Sequence, residues 1–287
     1  MNGAAATIAL FGLQEAVRRR VFVIVALLTA AYLVLYGLGT WQAYKAVDRN
    51  AGGTALAGVE PDIVAGATLL GLNMFGTLFL GTILAVFLTL GTVRGDAERG
   101  LLQPLLVRPV SRATVLAARF LAASAVCGAY VIVVFLVATV TTYALGGWWP
   151  DRVVEPAVEL AAAVALLCAV SLAGSVFLAA TANGIAVFMV FGAGLVAGLL
   201  GQIGEALGSH TLETVAKTAS WILPFEALYQ AALAALTTDT VGFTRLAIDL
   251  GPFGGAQDFG PLLGPYAIAY LGAVGYAAVR GFAARDL

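Results

Sequence analysis

The sequence predicts an all-α membrane protein with six transmembrane helices, and three observations favour this class. Hydrophobic residues make up 61% of the chain and charged residues only 11%, whereas a soluble domain carries about 25% charged residues. Several apolar runs are about 20 residues long, which is enough for a helix to cross a ~30 Å hydrocarbon core. These runs are continuous rather than alternating, which favours helices over a β-barrel.

The N-terminal segment 1–20 combines apolar residues with a cluster of arginines at 18–20. A secretory signal is one interpretation, but the basic cluster comes late and the apolar run after it continues to Trp41. We therefore expect an amphipathic helix on the cytoplasmic surface, where each arginine is attracted by anionic lipids by about 1 kcal/mol. The first span is predicted at 21–40, with Trp41 and Tyr44 as anchors at the far interface.

The other spans follow the remaining apolar runs, at 63–93, 115–145, 160–180, 185–203 and 261–279. The fourth and fifth are predicted to join through a tight turn at 181–184, which reads Thr-Ala-Asn-Gly.

Residues 205–260 are predicted to form an outer loop with short helices. Within this loop, 221–236 is apolar enough to resemble a span, but Pro224 and Glu226 lie near its start. We expect short helices that do not cross the membrane, and whether 221–236 re-enters the membrane or lies on its surface stays open.

The distribution of charge supports a topology with both termini inside. Ten Lys and Arg residues fall in inner segments and five in outer segments, while four acids are inside and twelve outside. An excess of Lys and Arg in short loops marks the cytoplasmic side. A seventh span at 221–236 would place the C-terminal arginines outside, against this trend.

The polar segment 94–112 lies between two of the most apolar runs and carries four arginines. Its leucines recur at about helical spacing, so they can form an apolar helix face that contacts another protein. Pro104 either begins a helix or divides the segment into two pieces. Ser111 is placed to cap the third span. We interpret the segment as a cytoplasmic loop that docks a partner.

A few polar and small residues lie within the spans. Asn73 and Thr77 share one face of the second span, and Ser171 and Ser175 lie on the fourth. They predict either hydrogen bonds between helices or a substrate path. Gly194 and Gly198 form a G-x-x-x-G pattern, which predicts close helix packing or a dimer contact.

Several classes of function are disfavoured. His210 is the only histidine, so a hydrolase has no suitable base in the membrane. Ionisable residues are absent from the centre of the predicted spans, which disfavours ion-coupled carriers. Cys127 and Cys168 lie in apolar runs and are expected to be buried, reduced thiols. No P-loop pattern is present, so any ATP that powers the protein binds another subunit.

The loop sequence from Glu98 to Phe120 resembles a family signature. It reads E-R-G-L-L-Q-P-L-L-V-R-P-V-S-R, followed by V-L-A-A-R-F at 115–120. This pattern is similar to the E-x-G-L…LL-x-x-P-V-S-R signature of type-2 ATP-binding-cassette (ABC) exporter permeases. The group that it most resembles includes the nitrous oxide reductase maturation permease.

The resemblance implies that loop 94–112 couples this chain to a separate ATPase. The residues expected to contact or orient that partner are Asp96, Glu98, Arg99, Leu101, Leu102, Leu105, Leu106, Arg108 and Arg112. Further expected partners are two copies of a cytosolic ABC ATPase, a second copy of this chain or a homologous permease, and the lipid bilayer, but no nucleic acid. ATP and Mg²⁺ would bind the ATPase, so this chain is expected to hold no cofactor or metal and to be no enzyme.

The expected function is export of an amphipathic or lipid-like substrate across a prokaryotic cell membrane. The alternative is a non-transport scaffold that anchors an envelope complex.

Overall fold

The computed structural model describes residues 20–50, 59–90, 111–249, 256–257 and 259–284. This part of the chain forms nine α-helices and contains no strand, which confirms the all-α prediction for it. The helices are α1 (Arg20–Asn50), α2 (Pro61–Thr89), α3 (Arg112–Gly146), α4 (Val154–Phe177), α5 (Ala180–Leu207), α6 (His210–Ile222), α7 (Pro224–Ala235), α8 (Gly242–Asp249) and α9 (Leu263–Ala283). The predicted N-terminal amphipathic helix at 1–20 lies almost wholly outside the described residues.

Five helices, α1 to α5, are long and apolar enough to cross a membrane. The predicted sixth span corresponds to α9, which has 21 residues and contains Tyr266, Tyr270, Tyr276 and Arg280. Such a helix is about 32 Å long, but α9 is not among the helices found long and apolar enough to cross a membrane. The crossing by α9 therefore stays a prediction.

Helix α1 is longer than the sequence indicated, because it continues ten residues beyond the predicted end at 40. One face of α1 carries hydroxyl groups towards α2 and α3, and Tyr36 Oη lies 2.6 Å from Thr142 Oγ1. Tyr44 lies further along the same side of α1 and is 5% exposed. Its ring packs over Gly146, where a β-carbon would overlap it, and its hydroxyl lies beside Gly66, where a β-carbon would approach Tyr44 Oη to 2.7 Å. Tyr44 is thus a buried packing residue, and the prediction of an interface anchor is wrong for it.

Helix α4 is the centre of the bundle and contacts α2, α3, α5, α7 and α9. Leu160, Val164 and Leu167 on α4 are fully buried. On α2, a β-carbon at Gly81 would lie 2.7 Å from Val131 of α3 and 3.1 Å from Val164 of α4. The absence of that β-carbon lets the three helices approach closely, which is how helices associate within a bilayer.

The predicted turn at 181–184 is wrong, because all four residues lie in the first turns of α5. The chain turns earlier, at Leu178, whose backbone is extended with φ −109° and ψ 152°. The backbone N–H of Asn183 already donates to the backbone oxygen of Ala179 at 2.8 Å. Asn183 therefore bonds α5 to α4, and Gly184 lets α5 pack against Val86 of α2 and against Leu90, and neither residue forms a turn.

Helices α6, α7 and α8 lie within 205–260, where the sequence predicts short helices. Leu223 separates α6 from α7, with φ −118° and ψ 71°, and Pro224 opens α7. Helix α7 contacts α4, α5, α6 and α9, and eleven of its twelve residues are buried. It is therefore an interior element of the bundle and not a helix lying on its surface.

One end of the bundle collects the helix ends that flank segment 94–112. There α2 ends, α3 begins, and the chain passes from α4 to α5. Apolar residues tie α3, α4 and α9 together at this end: Leu116, Leu172, Val176, Ala278 and Phe282. We call it the loop end. Trp148 and Asp62 lie at the opposite end, which we call the far end.

Candidate functional site

The predicted coupling residues fall mostly outside the described part of the chain. Eight of them, Asp96, Glu98, Arg99, Leu101, Leu102, Leu105, Leu106 and Arg108, lie within 91–110. Arg112 is the first residue of α3. The structure does describe the two helices that this segment joins, together with the contacts of their ends.

The start of α3 is fixed by Ser111, as the sequence predicted. Ser111 Oγ accepts a hydrogen bond from the Thr114 amide N–H at 3.1 Å. Ser111 has extended backbone angles, φ −68° and ψ 144°, which is the usual conformation of an N-cap residue. The capping prediction is confirmed, and α3 begins directly after the loop.

The end of α2 is hydrogen-bonded into the bundle through a buried polar cluster. Thr89 Oγ1, on the last residue of α2, lies 2.6 Å from Ser171 Oγ of α4. Asn183 Nδ2 of α5 donates to the Ser171 carbonyl oxygen at 2.9 Å. All three residues are at most 1% exposed. We refer to Thr89, Ser171 and Asn183 as the loop-end cluster.

Close packing holds the loop-end cluster in place. A β-carbon at Gly174 of α4 would overlap Asn183 Oδ1, so only glycine leaves room for the amide. Ser175, the other predicted serine, donates to Leu172 O of its own helix at 2.7 Å. Of the two serines, Ser171 therefore connects α2, α4 and α5, whereas Ser175 makes a bond within α4.

Asn73 and Thr77 lie deeper in the bundle, and both are fully buried. Tyr32 Oη of α1 donates to the Asn73 carbonyl oxygen at 3.2 Å. Neither the Asn73 amide nor the Thr77 hydroxyl has a hydrogen-bond partner among the described residues. Buried polar groups usually have such partners. These two side chains are therefore exceptions, since they are polar groups without a described partner in an otherwise apolar region.

Gly194 and Gly198 of α5 face α7 within the same chain. A β-carbon at Gly194 would overlap the ring of Phe225. A β-carbon at Gly198 would overlap Glu226 Oε1 and would lie 2.6 Å from Gln230 Nε2. The structure thus brings both glycines against α7 by the close approach that this pattern permits.

Glu226 is fully buried, with 1% exposure. Gln230 Nε2 donates to Glu226 Oε1 at 2.9 Å, and Oε2 has no hydrogen-bond partner in the described part. Burial raises the pKa of Glu226 from 4.5 to about 7, while the bond from Gln230 acts in the opposite direction. The carboxyl group can therefore gain or lose a proton near neutral pH.

Sequence reasoning missed the burial of Glu226 because it assigned 205–260 to an outer loop. The signal that could have revealed it is the spacing of Glu226 and Gln230. They are four residues apart on an apolar helix, so their side chains can bond to each other when buried.

Buried hydrogen bonds are the main polar feature of this part of the molecule. No cluster of three or more potential metal ligands occurs among the residues that the structure describes. Cys127 and Cys168 are buried free thiols, as predicted. His210 is exposed, with Nδ1 3.3 Å from Thr214 Oγ1. The notable chemistry is therefore the buried hydrogen bonding that joins α2 to α4 and α4 to α5, together with the Glu226–Gln230 bond within α7.

Comparison with known proteins gives one family. The sequence matches the family described as "ABC-2 family transporter protein" over residues 6–283. A search of curated proteins finds no match. The matched region contains all nine helices described above. The chain therefore belongs to the ABC-2 transporter family, whose members are multi-pass membrane subunits of ABC transporters.

Proposed function

We propose that this chain is the permease subunit of an ATP-driven exporter, coupled through segment 94–112 to a separate ATPase. The observation that carries the proposal is the family match over nearly the whole chain. The position of the loop-end cluster supports it, because α2, which leads into this segment, is bonded to α4, and α4 is in turn bonded to α5.

The proposed mechanism begins when the ATPase displaces segment 94–112. The displacement moves the end of α2 and the start of α3. Thr89 and Ser171 transmit it to α4, and Asn183 carries it to α5, because buried hydrogen bonds resist separation in a low-dielectric interior. Packed helices of this kind shift as units between discrete arrangements. The outcome is a change in how the bundle opens.

The proposed complex contains two copies of the ATPase, which hold ATP and Mg²⁺, and two permease chains. The second permease is a copy of this chain or a homologue. Both termini lie in the cytoplasm of a prokaryotic cell, in keeping with the excess of Lys and Arg in the predicted inner segments. The substrate is amphipathic or lipid-like, since the interior offers neutral polar groups such as Asn73 and Thr77.

Co-purification with a cytosolic ABC ATPase from the same cell tests the proposal. Arg108→Glu combined with Arg112→Glu should reduce both ATPase binding and stimulation of ATP hydrolysis by about tenfold or more, since reversed charges repel where they formerly attracted. Arg49→Glu, at the far end of α1, is the matched control and should leave both unchanged. Wild-type binding and hydrolysis in the double variant would contradict the coupling role. No association of the wild-type chain with an ATPase would favour a scaffold instead.

A further inference from the structure

Helix α7 presents two different faces to the bundle. Leu228 and Ala231 line a large cavity, which residues of α4 and α9 also line. Glu226 and Gln230 are four residues apart and share another face, because position 228 lies about 200° around the helix from position 226. This second face contacts α5, where a β-carbon at Gly198 would overlap Glu226 Oε1. The acid of α7 is therefore held against a glycine.

The Glu226–Gln230 pair retains unused hydrogen-bonding capacity. Gln230 Nε2 donates to Glu226 Oε1 at 2.9 Å, whereas Glu226 Oε2 and Gln230 Oε1 have no hydrogen-bond partner in the described part of the chain. Both of these atoms accept hydrogen bonds, and the two side chains are only 1% and 5% exposed. Ionised Glu226 would thus bury its charge with a single donor, which is unfavourable. A proton on Oε2 removes that charge.

A small cavity lies between this pair and the surface. It measures about 10 Å³ and is enclosed by α5, α6 and α7, with Gln257 and Phe259 on its remaining side. Ser220, Gln230 and Gln257 contribute polar side chains to its lining. One water molecule needs about this volume and two to four polar partners. Gln257 and Phe259 are partly exposed, so a water molecule in this space can pass a proton between solvent and the pair. We call it the Gln230 cavity.

The Gln230 cavity is near the far end of the bundle. Helices α4 and α9 run in the same direction, because their C-terminal parts pack together at the loop end. The residues that precede α9 therefore lie near the far end, and Gln257 and Phe259 are among them. Under the proposed function, the far end is the outer side of the membrane.

The nearest titratable neighbour of Glu226 along α7 is Tyr229. Burial raises the pKa of Tyr229, and the charge of Glu226 and the hydroxyl of Tyr32 on α1 raise it further. Tyr229 therefore stays neutral over the physiological range. On α5 the contact is with Gly198, which carries no charge. Glu226 is thus the group in this contact that can titrate near neutral pH.

The other helices packed against α7 also carry titratable groups. Helix α6 buries Ala216 and Ser220, and Tyr266 Oη of α9 donates to the Trp221 carbonyl oxygen. Helices α4 and α9 line the large cavity on the opposite face of α7. Burial and the bond from Gln230 are the influences on the pKa of Glu226. The titratable groups on these helices are His210, Glu213 and Lys217 of α6, Glu155, Glu159 and Cys168 of α4, and Tyr266, Tyr270, Tyr276 and Arg280 of α9.

We propose that Glu226 is a reversible proton-binding site, open to the far end through the Gln230 cavity, and that release of its proton loosens the docking of α7 on α5. The proton leaves Oε2 for a water molecule in the cavity, reaches solvent beside Gln257, and returns by the same route. The ionised carboxylate requires further donors, and the close contact at Gly198 leaves no room for them, so α7 moves away from α5. That the far end is external rests on the proposed function. Proton binding needs this chain alone, so its tests and the ATPase assay fail independently.

Infrared titration of the purified full chain, in nanodiscs of zwitterionic lipid, tests proton binding. The band of protonated carboxyl groups should lose one component between pH 5 and 8, with a midpoint of about 7. Glu226→Gln should lack this component. Gln230→Leu should raise its midpoint by about one pH unit, because the ionised form loses its donor. Glu213→Gln, a partly exposed acid of α6, is the matched control and should titrate as the wild type does. Persistence of the component in Glu226→Gln, or an unshifted midpoint in Gln230→Leu, would overturn the site.

The proton route is tested by the rate at which the same component shifts after transfer into heavy water. Ser220→Val narrows the Gln230 cavity and removes a hydroxyl from it, so exchange should slow by about tenfold while the midpoint stays unchanged. Ser175→Val is the matched control, because both serines donate to a carbonyl oxygen of their own helix but Ser175 lies on α4. Equal exchange rates in the two variants would remove this route.

Hydrogen–deuterium exchange of the α7 amides tests the docking step. At pH 8, α7 of the wild type should exchange severalfold faster than α7 of Glu226→Gln, and at pH 5 the two proteins should agree. The amides of α2 provide an internal reference at each pH. Equal protection of α7 at pH 8 would show that ionisation leaves the docking unchanged. The amide infrared bands report whether each variant folds, and if Glu226→Gln does not, the midpoint of Gln230→Leu decides the proposal.

Discussion

Thr89 Oγ1 and Ser171 Oγ lie 2.6 Å apart, so the last residue of α2 is bonded to the middle element of the bundle. Ser171 is in turn bonded through its carbonyl oxygen to the Asn183 side chain on α5. Helix α2 and the consecutive helices α4 and α5 are thus joined beside the point where the chain enters segment 94–112. A bonded junction here is suited to transmit a displacement rather than to absorb it.

Thr89→Val should uncouple ATP hydrolysis from this chain while largely preserving the fold. The variant keeps the shape of Thr89 but loses the bond to Ser171, which costs about 1 kcal/mol of stability. Stimulation of the ATPase by the permease should fall severalfold, as measured by phosphate release in the reconstituted complex. Thr139→Val is the matched control, since Thr139 is buried but bonds only Phe135 O of its own helix. An equal loss in both variants would mean that the effect is one of stability alone.

Gly174→Ala should disturb the loop-end cluster more strongly than any polar change. The new β-carbon would overlap Asn183 Oδ1, so the α4 to α5 connection must shift, at a cost of about 1 to 3 kcal/mol. We expect a lower thermal midpoint and reduced ATPase stimulation. Gly192→Ala on α5 meets no atom within 4 Å, and it should be neutral or slightly stabilising because alanine favours helix. Equal midpoints for the two variants would contradict the close contact.

The sequence predicts the helices of this fold better than it predicts their ends. Apolar runs mark α2 to α5 because a span needs about 20 apolar residues. The end of α1 was misplaced because Tyr44 looks like an interface anchor in sequence, and only the positions of Gly66 and Gly146 reveal that its ring is buried. A contact of this kind depends on the packing of three helices and has no local signature.

The candidate site shows the same division between local and tertiary information. Ser111 could be recognised as a cap because capping is a local property of four residues. Ser171 could be identified as polar, but its partners Thr89 and Asn183 are 82 and 12 residues away. The Asn-Gly pair at 183–184 favours a turn in isolation. In the structure it lies in α5, where Asn183 has a bonding partner on α4.

Gly198→Ala should weaken the docking of α7 on α5. Its β-carbon would overlap Glu226 Oε1 and approach Gln230 Nε2, which should lower stability by about 1 to 3 kcal/mol. The double variant Gly198→Ala, Glu226→Ala removes the overlapping group, so its loss should be smaller than the sum of the two single losses. Thermal unfolding of all four proteins gives this coupling directly. Additive losses would show that the two residues do not contact each other.

Glu226 should make the stability of the protein depend on pH. Its pKa is raised from 4.5 to about 7 in the folded chain, so the folded state holds its proton over a range in which the unfolded state releases it. The stabilisation is fully present below pH 4.5 and is lost as pH rises to about 7, in total about 3 kcal/mol. Glu226→Gln mimics the protonated form, so its stability should change less between pH 5 and 8. Glu213→Gln, a partly exposed acid of α6, is the matched control and should retain the wild-type profile. Thermal unfolding in nanodiscs across this range measures the difference, and parallel profiles for wild type and Glu226→Gln would show that another group titrates.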